Sequence, residues 1–181
     1  ACKTRTVEEV RAFVGNGARR LMERAVPPEV TGGDFETVLT EYRDWYQAHN
    51  CVATAPYPGI PALLAALAEA GIKTAVVSNK PDATTKTLAA RFFPGLPAFG
   101  QRDDVPPKPA PDLVFRALET LGVDAADAIY VGDSEVDVAT ARNAGLPLAA
   151  VSWGFRGRRA LAEAGAAVIV DAAAELLEVL R

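Results

Sequence analysis

From Pro56 onward, short continuously apolar runs alternate with longer segments whose apolar residues recur at helical spacing, and this alternation restricts the fold more than any other feature. The apolar runs are KTAVVSN (73–79), AIYVGD (128–133), PLAAVSW (147–153) and AAVIVD (166–171), with a weak short one near 98–99. Between and after them, residues 60–70, 82–93, 111–121, 135–144, 158–164 and 173–180 read as helices. A strand that is apolar on both faces needs cover on both faces, so the pattern predicts a parallel sheet between two helical layers, with right-handed crossovers. The fold class is α/β, a Rossmann-like, doubly wound core.

The first 50 or so residues have a different character. Thr6-Val7-Glu8-Glu9 is a capping box that starts a helix running to about Val14. Gly15-Asn16-Gly17 interrupts it, residues 18–25 continue as a helix, and Pro27-Pro28 ends that one. Asp34 is the expected cap of a third helix, in which Phe35, Val38, Leu39, Tyr42, Trp45 and Tyr46 form one stripe. Pro56-Tyr57-Pro58-Gly59 marks the change. The expected division is a helical cap in residues 1–55 and the α/β core in 56–181.

Composition narrows the function classes. A net charge of −4 without a basic block argues against a nucleic-acid surface. No apolar run reaches membrane-spanning length, and the opening ACKTRTVEEV has no signal-peptide core. Two cysteines far apart, Cys2 and Cys51, suit a reducing cytoplasm better than a disulfide framework. The single histidine, His49, excludes chemistry that needs several and reads as a surface residue.

Ligands of open parallel sheets bind beyond the carboxyl ends of the strands, and three unusual segments fall there. In YVGDSEVD a buried strand delivers Asp133 beside Asp137, with Glu135 reading as a solvated helix residue. Like charges so placed repel by about 4 kcal/mol at 4 Å and an effective dielectric of 20. Helix capping accounts for one or two such acids. A hard cation accounts for the pair, and Mg²⁺ favours a few carboxylates, waters and a phosphate oxygen. In VVSN, the Ser78 hydroxyl and neighbouring amides can hold phosphate oxygens, with the helix after Lys80-Pro81-Asp82 adding its N-terminus. In PPKPAPD, prolines stiffen the loop around Lys108, which suits a fixed positive charge beside phosphate and carboxylate.

Taken together, AVVSNK, KPAPD and YVGDSEVDVATARNAG resemble the second, third and fourth motifs of the haloacid dehalogenase superfamily, most of all its phosphoglycolate phosphatases. FVGNGARRLMERAV resembles their helical cap, and PYPGIPALLAALAEAGIKTAVVSNK their return from cap to core. The resemblance implies Mg²⁺-dependent hydrolysis of a small phosphomonoester through an aspartyl-phosphate, in a monomer or homodimer. It assigns Ser78 to the transferring phosphoryl group and Lys108 to steadying it. Asn79 would position that loop and the substrate. Asp133 would ligate the metal directly, with Asp137 in the first or second coordination sphere. Asn16 and Gly17 would meet the organic part of the substrate, and Arg20 or Arg19 could pair a substrate carboxylate. A pyrophosphatase, nucleotidase or phosphomutase, a phosphate-binding module without catalysis, and a receiver-like signalling domain are the alternatives.

One departure from the family pattern stands out. The first motif, DxDGT, which carries the nucleophile at the end of a central strand, is absent, and the acids of QRDDVP follow no strong strand. The expectation is therefore a fragment of a longer enzyme, inactive alone, with an apolar slot where the central strand would lie.

Overall fold

The computed structural model describes residues 3–180, and Cys2 lies outside the described residues. Helices come first: α1 (Val7–Phe13), α2 (Gly17–Ala25) and α3 (Gly32–His49). The capping box at α1 is formed, with Thr6 Oγ1 accepting the Glu9 N–H at 3.1 Å and Glu9 Oε2 accepting the Thr6 N–H at 2.8 Å. Helix α3 begins two residues ahead of Asp34, with Thr31 as its N-cap, so Asp34 sits in the first turn and complements the helix dipole instead of capping. Phe35 and Leu39 of its stripe are buried. Trp45 is 61% exposed and stacks on His49, which is also at the surface.

Strands and helices then alternate as the apolar runs dictate: α4 (Ile60–Glu69), β1 (Val76–Pro81), α5 (Asp82–Phe92), β2 (Ala98–Gln101), α6 (Asp112–Leu121), β3 (Tyr130–Gly132), α7 (Glu135–Ala144), β4 (Leu148–Val151), α8 (Gly157–Glu163), β5 (Val168–Val170) and α9 (Ala173–Val179). Strands β3, β4 and β5 are shorter than their apolar runs, while β1 and β2 continue past theirs to Pro81 and Gln101, because ladder hydrogen bonds and not hydrophobicity set where a strand ends. All pairings are parallel: β1 with β2, and β3 with β4 and β4 with β5. Leu63 and Leu67 of α4, with Leu176 of α9, bury against Ala149, Val151 and Val170 on one face. Val114 of α6 packs with Tyr130 and with Ala141 and Ala144 of α7, while Val138 of α7 and Leu161 of α8 cover Ala150. Helices on both faces make the core doubly wound.

The two groups of strands do not pair with each other. Between β1 and β3 lies an apolar cavity of about 420 Å³, lined by Val76, Val77, Ile129, Tyr130 and Val131 and walled by α4 and α6 residues. The Val76 N–H donates to the Pro97 carbonyl and the Tyr130 N–H to the Pro147 carbonyl, so these residues bond away from the slot. Alternation along a parallel ladder then turns the backbone groups of Val77 and Val131 into it.

Hydrogen exchange checks this placement. Amides of Val77 and Val131 should exchange at least about a hundredfold faster than those of Val76 and Tyr130, because no partner strand protects them. Equal protection on both sides of each strand would contradict an open slot.

Candidate active site

The carboxyl ends of β1 and β3 open on a hollow of about 320 Å³. Ser78, Asn79 and Lys80 reach it from β1, Lys108 from the loop before α6, and Asp133, Ser134 and Asp137 from the turn into α7. The α1–α2 linker at Val14, Gly15 and Gly17, with Tyr42, Arg43 and Tyr46 of α3, closes the opposite wall. Strand polarity thus gathers residues up to 59 positions apart in one place, as parallel sheets do.

At the floor, Lys108 Nζ donates to Asp137 Oδ1 at 2.8 Å and to the Tyr130 hydroxyl at 3.1 Å, and the Tyr130 hydroxyl donates to the same Asp137 oxygen at 3.2 Å. The Lys108 and Asp137 side chains are only 12% and 7% exposed. The other oxygen, Asp137 Oδ2, accepts the N–H groups of Asp133 and Ser134, both at 3.1 Å, and the Ser134 hydroxyl at 2.6 Å. Ser134 in turn caps α7 by accepting the Asp137 N–H. Asp137 is therefore both a helix cap and the counter-ion of Lys108. At contact distance that attraction is about 6 kcal/mol at an effective dielectric of 20, more than the repulsion of two carboxylates at 4 Å. The acidic crowding is resolved by the lysine before any metal is considered.

These contacts set the protonation states. Burial opposes the charge on Asp137, but Lys108, Ser134 and the Asp133 amide outweigh it and hold the carboxyl below the usual range. Burial likewise opposes the Lys108 ammonium, and Tyr130 and Asp137 reverse the balance and raise its pKa. Burial pushes Tyr130 up to about 12, with Lys108 working against it and Asp137 with it, so the phenol stays protonated as a donor.

Asp133 is held differently. Its Oδ2 accepts the Phe155 N–H at 2.8 Å, and its other oxygen makes no hydrogen bond among the described residues. A Cβ at Gly154 would collide with the Asp133 carboxylate, and one at Gly132 with the Asp137 side chain. The glycine of GDSEVD is needed for close approach. Asn79 ties the floor to the opposite wall: its Oδ1 accepts the Lys108 N–H at 2.7 Å, and its Nδ2 donates to the carbonyls of Lys108 at 2.9 Å and Gly15 at 3.2 Å. The Asn79 side chain is thereby fully engaged with backbone.

Three residues named from the sequence, Asn16, Arg20 and Arg19, do not line the hollow. Asn16 accepts a bond from Arg24 at 3.2 Å, and Arg20 is paired with Glu23 at 2.8 Å. Arg19 is held bidentately by Glu36, both contacts at 2.8 Å. Sequence reasoning in turn misses Tyr130, which reads as an ordinary core strand residue, and Arg156. Arg156 donates to the carbonyls of Arg11 at 3.1 Å and Val14 at 2.8 Å and pairs with Glu135 at 2.9 Å, while Arg11 donates to the carbonyls of Phe155 and Gly154 at 3.1 and 3.2 Å. The run SWGFRGRR carries three arginines, and nothing local distinguishes the one that crosses to α1.

A sequence profile of haloacid dehalogenase-like hydrolases matches residues 3–145. The N-acetylmuramic acid 6-phosphate phosphatase of Pseudomonas aeruginosa is 34% identical, over 96% of this chain and 78% of that protein. The phosphoglycolate phosphatase of Pseudomonas savastanoi pv. phaseolicola is 33% identical over 91% of this chain, which spans only 63% of that protein. Among solved structures, a provisionally named phosphoglycolate phosphatase from Lactobacillus delbrueckii subsp. bulgaricus superposes with a TM-score of 0.90 at 35% identity, covering 97% of this chain and 83% of its own.

Replacing Asp137 by Asn should cost about 3 kcal/mol, since it strands the buried Lys108 charge, and lower Tm by about 6–12 °C near pH 7. The Asp137 pKa is depressed, so the stability it contributes is fully present above the ordinary carboxylate range and is lost as pH falls through the folded-state value. Melting curves of both proteins should accordingly converge below about pH 4. A constant gap down to pH 2 would contradict this assignment. A second variant, Gly132→Ala, should unfold earlier than wild type through the same Asp137 displacement, by about 1–3 kcal/mol in urea.

Proposed function

The chain belongs to the haloacid dehalogenase-like hydrolases, and from that premise we propose that its hollow handles the phosphoryl group of a small phosphomonoester in a Mg²⁺-dependent phosphatase. The observation that carries this reading is the convergence of Ser78, Lys108 and Asp133 on one hollow at the strand ends. In this reading helices α1–α3 form the cap over the core, with the division near Pro56. The Ser78 hydroxyl and the amides after it hold phosphoryl oxygens, and Lys108, fixed by Asp137 and Tyr130, offsets their charge. Phosphoglycolate is the first candidate substrate. The curated relatives are named for phosphoglycolate and N-acetylmuramic acid 6-phosphate, and both compounds are phosphomonoesters that also carry a carboxylate.

The residues present suit Mg²⁺, which takes one or two carboxylates and fills its octahedron with water and phosphate oxygens. Asp133 offers one carboxylate oxygen without a hydrogen-bond partner among the described residues, and is the proposed direct ligand. Both Asp137 oxygens are occupied by donors, which suits an outer position that orients Lys108 and the Asp133 backbone. No group of three His, Cys, Asp or Glu among the described residues is arranged to hold a metal alone; in this reading water and phosphate oxygens complete the shell. When bound, the ion would neutralise charge on the phosphoryl group during its transfer.

Covalent transfer through an aspartyl-phosphate needs a further carboxylate. Asp133 and Asp137 are the carboxylates lining the hollow, and both have other roles. The slot between β1 and β3 is the place from which a strand would deliver that nucleophile, since Tyr130 lines the slot and its hydroxyl touches Lys108. The 181-residue chain by itself is thus proposed to bind phosphate without turning substrate over.

Calorimetry and a phosphate-release assay test the proposal. The chain should bind inorganic phosphate more tightly with Mg²⁺ than with a chelator. Lys108→Ala and Asp133→Asn should each weaken that binding at least about tenfold, the order of a lost charge-assisted contact. Release of phosphate from phosphoglycolate should stay at background, and turnover near about 10 s⁻¹ by this chain alone would overturn the assignment of roles.

A further inference from the structure

The charged side chains lining the hollow sort into those already paired and those not. Lys108 is bound to Asp137, and Arg156 to Glu135. Lys80 and Arg43 line the same hollow, and neither side chain has a hydrogen-bond or ion-pair partner among the described residues. Lys80 stands on β1 two positions beyond Ser78, and Arg43 on α3 between Tyr42 and Tyr46, so they approach from opposite walls. Glu36, two helical turns before Arg43 and under its influence, is claimed bidentately by Arg19, which leaves Arg43 free for a ligand. Lys80 is partly shielded from water and faces the Lys108 ammonium, with Asp133 as the one opposing charge, and its pKa is lowered accordingly. On the phosphoester reading Asp133 is taken up by the metal, and the two cations, with no fixed partner at a site that already has its own lysine, suit an anion placed beyond the phosphoryl group.

We propose that Arg43 and Lys80 form a second anion subsite, which reads a carboxylate on the organic part of the phosphomonoester and joins the helical wall to the core through it. The subsite rests on the phosphoester reading of the floor. Arginine's planar fork matches a carboxylate bidentately, whereas the flexible lysine contributes a point charge. The assignment replaces Arg20, which the sequence suggested for this task and which is held by Glu23. Arg43 is also three residues from Tyr46 and one from Tyr42, whose rings stack at 5.9 Å and give the subsite an apolar flank.

Three probes distinguish the subsite from the reading beneath it: inorganic phosphate, ethyl phosphate and 2-phosphoglycolate, titrated calorimetrically into the 181-residue chain with Mg²⁺. Ethyl phosphate keeps the ester and lacks the carboxylate. Wild type should bind phosphoglycolate about tenfold more tightly than ethyl phosphate, the scale of one charge-assisted contact. That ratio should fall to about two or less in Arg43→Gln and in Lys80→Gln, and Arg43→Lys should keep part of it. Both side chains lie at the surface of the hollow, so the variants should retain the wild-type circular dichroism. Arg159→Gln, an exposed cation outside the hollow, should leave the ratio as it is. A wild-type ratio near one, with inorganic phosphate still bound, would overturn the subsite and leave the phosphoester reading standing. Failure of all three probes to bind would overturn both.

Discussion

The buried pair of Lys108 and Asp137 is the contact on which the arrangement of the hollow depends. It joins a proline-stiffened loop to the first turn of α7, and Asn143 near the end of α7 adds a second tie by donating to the Pro109 carbonyl at 2.9 Å. A buried ion pair is poor evidence for stability in itself, because desolvation offsets most of its attraction. Here the remaining valences are filled as well: every oxygen of Asp137 has donors, and the lysine has the Tyr130 hydroxyl and the Val77 carbonyl at 3.4 Å. Complete satisfaction fixes a geometry in a way that a half-satisfied pair does not. The floor is therefore rigid before a ligand arrives, which is the condition for electrostatic preorganisation.

Much of the fold was legible because the core strands are apolar on both faces, a pattern that leaves few architectures open. Val76-Val77 and Leu148–Val151 are strand in the sequence and in the structure. The ends of elements were less legible. Asp34 looks like a helix cap on residue type alone, yet the helix starts two residues earlier at Gly32, with Thr31 in the cap position and no side-chain cap bond made. Trp45 falls on the apolar stripe of α3 yet is exposed, since helical periodicity says which residues share a face and not what covers it.

The hollow divides along the same line. Residues whose positions follow from strand ends, namely Ser78, Lys108, Asp133 and Asp137, meet where sheet polarity sends them. Residues on the helical wall depend on how helices α1–α3 dock, and no local pattern encodes that. Arg20 and Arg43 are both arginines on amphipathic helices. One is neutralised by its own helix at Glu23, while the other turns toward the core. Tyr130 is hidden for a related reason: its ring belongs to the apolar core, and only its hydroxyl takes part in the polar floor.

Arg11 and Arg156 exchange bonds reciprocally, each guanidinium reaching backbone carbonyls in the other's segment. Main-chain carbonyls cannot be removed by substitution. The joint is thus indifferent to most sequence drift in the partner segment. Its bonds also share two anchors, so the first to break loosens its neighbours, and separation of the two segments should proceed as a single cooperative snap, not a gradual peel.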